Sequence, residues 1–88
     1  MRVIQLNTKK AFVAAIELAK KMADKSNYLC LITEPYKYKN KIGSVPTGAR
    51  SISYESKNTR AAIIFSSDID ILKVESLCGE DCAVGLTR

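Results

Sequence analysis

The sequence predicts an α/β (α+β) domain, a βαβ unit followed by an antiparallel meander, and three observations predict it. A strand-like run at residues 2–6 and an apolar run at 29–32 flank a helical repeat, all within about 30 residues, the size of a βαβ unit. The apolar spacing between the two runs is helical, not alternating. From Ser51 onward, short β-patterned runs alternate with turn residues.

Taken in order, Arg2 to Leu6 reads as the first strand, and Asn7 and Thr8 each offer a helix cap. From Lys9 the spacing becomes helical. Phe12, Ile16, Ala19 and Ala23 form one apolar stripe, widened by Ala15 and Met22, with charged residues on the remaining faces. Phe12 and Tyr28 are assigned to the core. The helix is expected to end near Ser26 and Asn27. Leu29 to Ile32 has no polar alternation and reads as a strand buried on both faces. Pro35 cannot donate to a ladder, so it ends that strand and leaves Glu34 at its carboxyl end.

Residues 37–50 read as a basic loop, with Lys37, Lys39, Lys41 and Arg50 interleaved with Tyr36 and Tyr38 at its start. Strands are expected over 51–55, 60–66, 71–77 and 82–87, with turns at 67–70 and 79–81, Gly79 serving the second. One helix cannot cover both faces of such a sheet, so the reading also expects dimerisation or a larger domain. The chain is assigned as one partial domain, 1–88, lacking its carboxyl-terminal side.

A βαβ connection makes its two strands parallel, so both end at the same sheet edge. Asn7 closes the first and Glu34 the second. An amide and a carboxylate are thereby expected side by side on one rim, where open α/β sheets hold their ligands.

The totals narrow the function. The net charge of +5 favours polyanionic partners over acidic ones. No apolar run approaches the ~18 residues of a membrane span, and no signal-peptide core follows Met1, so a non-membrane, intracellular protein is expected. Three cysteines and no histidine argue against a disulfide framework and against zinc. Without histidine, the usual general base near neutral pH is also missing.

Val3, Ile4, Gln5, Leu6 and Asn7, then Leu31, Ile32, Thr33, Glu34, Pro35 and Tyr36, then Arg60, Ala61, Ala62, Ile63, Ile64 and Phe65, resemble in order and spacing the opening of an exonuclease-endonuclease-phosphatase domain. Within that superfamily the blocks look like those of the apurinic-endonuclease-like domain of non-LTR retrotransposons. The resemblance implies a two-sheet α/β sandwich with its site at the top rim. It implies that Glu34 binds the catalytic Mg2+, with Mn2+ able to replace it. It places Asn7 near the metal and the scissile phosphate, and Tyr36, Lys37, Tyr38, Lys39 and Lys41 along the DNA. The implied reaction is phosphodiester hydrolysis that nicks target DNA in the nucleus, beside a reverse transcriptase of the same polyprotein. Two departures stand out. Thr33 replaces a common glutamine, and the family's later Asp-x-Asn block, further aspartate and Asp-His pair are missing. The chain alone is therefore not expected to cut DNA.

Plainer readings stand beside these. Glu34 can be a solvated strand end, Asn7 a helix cap, and the tyrosine and lysine run a solvated face. Asp68 and Asp70 form a D-x-D pair, but their turn position favours a structural role. As whole-chain alternatives, a stand-alone nucleic-acid-binding module would bind without Mg2+, and an inactive remnant of a mobile element would show no cooperative unfolding.

Overall fold

The structure, a computed structural model, describes residues 1–39, 41–56 and 58–87. It is α+β. Strand β1 (Arg2–Asn7), helix α1 (Phe12–Met22) and strand β2 (Tyr28–Thr33) form the expected unit. β1 and β2 are parallel, in register from Arg2 opposite Tyr28 to Asn7 opposite Thr33. Next come β3 (Lys37–Tyr38), β4 (Lys41–Ile42), β5 (Ala49–Ile52), β6 (Ala61–Ser66), β7 (Ile71–Lys73), a 3-10 turn at Glu75–Leu77, and β8 (Gly85–Thr87). A mixed four-stranded sheet runs β1-β2-β6-β5, while β3-β4 and β7-β8 are separate antiparallel pairs. No helix among the described residues is long and apolar enough to cross a membrane.

Alternation along β2 divides the core. Tyr28, Cys30 and Ile32 face one side with Ala62 and Ile64 of β6, and Leu18 and Met22 of α1 close over them. On the other side Phe65, Ile52 and Ile71 pack with Leu29, Ile63, Ile69, Cys78 and Ala83. The segment after β6 thus covers part of the face that α1 cannot reach. This is how β2 comes to be buried on both sides, less completely at Leu29 and Leu31.

The helix ends at Met22 rather than near Ser26 and Asn27, and four further local expectations are corrected. The helix begins at Phe12 rather than Lys9, because Lys9 and Lys10 are left-handed (φ 51° and 58°). Such residues cost about 1–2 kcal/mol each. That cost is offset by hydrogen bonds from Lys9 N–H to Asn7 Oδ1 (2.8 Å) and from Lys10 N–H to the Glu34 carbonyl (2.7 Å). The buried stripe of α1 is Ala15, Leu18 and Met22, so Phe12 is half-exposed and not core. Residues 37–50 are no plain loop but hold the β3-β4 hairpin and the first residues of β5. The meander is also interrupted. Residues 71–77 are strand only to Lys73, because Glu75–Leu77 coil into a 3-10 turn, and the returning strand begins at Gly85.

The turn after β6 carries a cross-link. Both Asp68 carboxylate oxygens accept the Asn27 N–H (3.1 Å each), tying this turn to the start of β2. The Ser66 side chain, then the Asn27 N–H, hold the Asp68 carboxyl below the ordinary aspartate range. A depressed carboxyl contributes stability above its unfolded value, and that stability is lost as pH falls through the folded one. In urea titrations, Asp68→Asn should be less stable than wild type near neutrality. The gap should close below about pH 4, where the unfolded-state carboxyl takes up its proton.

Candidate functional site

The ends of β1 and β2 meet through one peptide. Glu34 adopts a left-handed conformation (φ 49°) directly after β2. Its N–H donates to the Arg60 carbonyl (2.8 Å), and its carbonyl accepts the Thr8 hydroxyl (2.6 Å) and the Lys10 N–H (2.7 Å). The β1-α1 turn, the end of β2 and the entry to β6 are thus pinned to the main chain of a single residue. Those bonds use only backbone atoms of Glu34. Its side chain, partly exposed, has no hydrogen bond or ion pair among the described residues. A carboxylate with open lone pairs on a fixed backbone is a fit acceptor for a cation or a donor group.

Asn7 lies on the same rim, exposed, its register partner Thr33 immediately preceding Glu34. It does not cap α1, whose N-cap is Ala11 with no side-chain bond. Its Oδ1 instead accepts the Lys9 N–H, an Asx turn that fixes the amide's direction and leaves one lone pair and the NH2 group available. No hydrogen bond joins the Asn7 and Glu34 side chains among the described residues.

Beside the rim stands the β3-β4 hairpin, with Lys37 opposite Ile42 and Tyr38 opposite Lys41. The Tyr36 ring packs over Gly43, where any Cβ would fall 2.7 Å from its Cδ2 and Cε2 atoms. The Phe12 ring lies 5.1 Å from the Tyr36 ring, tilted by 57°. Tyr38 is exposed, with Lys39 Nζ 5.4 Å from its ring centroid. Phe12, Tyr36, Tyr38, Lys39, Lys41 and Gly43 border an open pocket of about 660 Å³.

Lys37 is placed differently from the other two lysines. Its Nζ is shut from solvent and has no hydrogen-bond partner among the described residues. Burial pushes the amine below the ordinary lysine value and Lys10 pushes the same way, while Glu80 opposes them. With both states protonated near neutrality, the folded chain carries the whole penalty. That penalty fades as pH rises between the folded value and the unfolded one near about 10.4. Lys37→Met should therefore stabilise the chain by about 1 kcal/mol near neutrality, an advantage that shrinks in alkaline solution. Burial also raises Cys30 and Tyr28, whose contributions fall as pH rises. Comparing the two proteins by urea unfolding at each pH cancels them.

A metal has limited support from protein groups alone. No set of three His, Cys, Asp or Glu side chains gathers among the described residues. Asp68 serves its turn. Cys30 is buried, Cys82 is exposed, and Cys78 Sγ accepts the Val84 N–H (3.4 Å). Mg2+ is held through one or two carboxylates while keeping several waters, so Glu34 with solvent and phosphate oxygens is a chemically adequate set.

Sequence reasoning missed Thr8, Phe12, Gly43 and Arg60 as parts of this region. Thr8, 3% exposed, had a legible hydroxyl but no sign of its partner 26 residues away. The chain matches no protein-family model, no curated protein and no solved structure at a significant level.

Proposed function

We propose that the chain is the amino-terminal part of a Mg2+-dependent DNA endonuclease domain of the exonuclease-endonuclease-phosphatase type. The observation that carries the reading is the Glu34 carboxylate, partly exposed and without a partner among the described residues, on a main chain pinned at the end of a strand parallel to the one that ends in Asn7. Glu34 would hold the metal, and Asn7 would orient the phosphate. Tyr36, Tyr38, Lys39 and Lys41 meet the DNA, and Lys37, its Nζ shut from solvent, is left out of that contact. Bound Mg2+, or Mn2+ in its place, supplies positive charge against the charge developing on the phosphate and the leaving oxygen.

One carboxylate does not complete a nuclease. A general base and most transition-state contacts are assigned to a following portion of the domain, which completes a two-sheet sandwich and is the first partner of this chain. A role in nicking nuclear target DNA for a neighbouring reverse transcriptase rests on the sequence resemblance alone.

The test begins with the coding sequence beyond codon 88. It should encode an Asp-x-Asn block and an Asp-His pair. The domain so completed should convert supercoiled plasmid to the nicked form with Mg2+ and not with EDTA. An open frame without those blocks, or nicking indifferent to EDTA, overturns the reading. The aromatic pocket favours a second reading, a stand-alone nucleic-acid-binding module. Its mark is salt-dependent DNA binding that neither EDTA nor Glu34→Ala alters.

A further inference from the structure

We propose that the pocket between the start of α1 and the β3-β4 hairpin receives an unpaired DNA base, so that the chain reads strand state as well as phosphate charge. This rests on the DNA-facing reading above and adds to it the kind of DNA that binds.

Phe12 and Tyr38 are large aromatics at the pocket mouth, 51% and 63% exposed. Burial in the core does not explain rings so open. Tyr36, half-buried, forms the floor, seated by its contacts with Gly43 and Phe12. At about 660 Å³ the space falls within the range of small-ligand sites. The residues that line it include two lysines and no carboxylate, so an anionic ligand meets no opposing charge there.

Aromatic rings interleaved with lysines suit a single strand: each base offers a π-face, and each linkage offers a phosphate. A base seated against Tyr38 or Phe12 places its flanking phosphates within reach of Lys39 and Lys41. In a duplex both base faces are covered by neighbours, and a base enters such a pocket only after leaving the stack. Phosphate contacts alone would not separate paired from unpaired DNA, whereas ring contacts would.

The experiment measures fluorescence anisotropy of end-labelled strands with the full chain in EDTA, which prevents cleavage. The probes are an oligothymidine, a strand of equal length and charge built from abasic spacers, and the corresponding duplex. Oligothymidine should bind about tenfold more tightly than the baseless strand and the duplex. Tyr38→Ala and Phe12→Ala should each reduce that advantage while leaving the salt dependence intact. Tyr38→Phe should keep it, since the ring remains. Because both rings are exposed, circular dichroism should show the variants folded. Equal affinity for the oligothymidine and the baseless strand overturns the base pocket while leaving DNA contact standing. An advantage that survives both alanine variants also overturns it. Failure of every probe to bind removes the DNA-facing reading together with the pocket.

Discussion

Glu34→Gln should slow Mg2+-dependent nicking by the completed domain about 10²-fold or more, with little change in stability. Glutamine keeps the shape of glutamate and loses the charge. The bonds that hold this residue in place run from its N–H to Arg60 and from Thr8 and Lys10 to its carbonyl, and the substitution leaves all of them present. The left-handed backbone (φ 49°) is equally strained for either side chain. Unfolding free energy should accordingly move by no more than about 0.5 kcal/mol. Loss of one well-placed electrostatic contact in a transition state costs about 10²–10³ in rate. A neutral amide oxygen is a far poorer Mg2+ ligand than a carboxylate, so raising the Mg2+ concentration should restore part of the rate. DNA affinity in EDTA should hold, while the added affinity that Mg2+ gives the wild type should be lost, which a binding module without a metal site would not show. Unchanged nicking with an unchanged melting curve would remove Glu34 from the chemistry, and the nuclease reading with it.

What could be read from the sequence follows from which interactions are local. The parallel pairing of β1 and β2 was legible because a helical crossover of this length permits little else. The meeting of Asn7 and Glu34 at one rim followed from that pairing, without any side-chain contact having to be foreseen. The facing of α1 was not legible. Phe12, Val13, Ala14, Ala15, Ile16, Leu18 and Ala19 surround much of its circumference, so the stripe through Phe12 and Ile16 competes with the one through Ala15, Leu18 and Met22. The sheet decided between them by placing Tyr28, Cys30 and Ile64 beneath Leu18 and Met22. The β3-β4 hairpin escaped notice because each of its strands has only two residues. The left-handed turn at Glu34 had no signal at all, since glutamate is not a residue that favours that conformation.

Thr8→Val should destabilise the chain by about 1–2 kcal/mol and weaken catalysis beyond what that loss explains. Valine matches threonine in shape but cannot donate, so the buried bond from Thr8 Oγ1 to the Glu34 carbonyl (2.6 Å) disappears. The carbonyl retains the Lys10 N–H, which keeps the cost near that of one hydrogen bond rather than that of an orphaned acceptor. For a domain of this size, the melting temperature should fall by about 5–10 °C. The catalytic effect has a separate origin. Among the described residues, Thr8 supplies the side-chain bond between the turn that follows Asn7 and the peptide that carries Glu34. Without it the rim keeps the Lys10 N–H and the β1-β2 ladder but loses its buried side-chain tie, and a misplacement of about 1 Å can cost 10²-fold in rate. Nicking should be measured well below the variant's melting temperature, where nearly all molecules are folded. It should then show a lower kcat with DNA affinity in EDTA unchanged, because the hairpin lysines are untouched. Thr8→Ser retains the hydroxyl and should recover most of both losses. If Thr8→Ser instead proves as impaired as Thr8→Val, the methyl group and not the hydroxyl holds the rim, and Thr8 has no part in positioning Glu34 beyond packing.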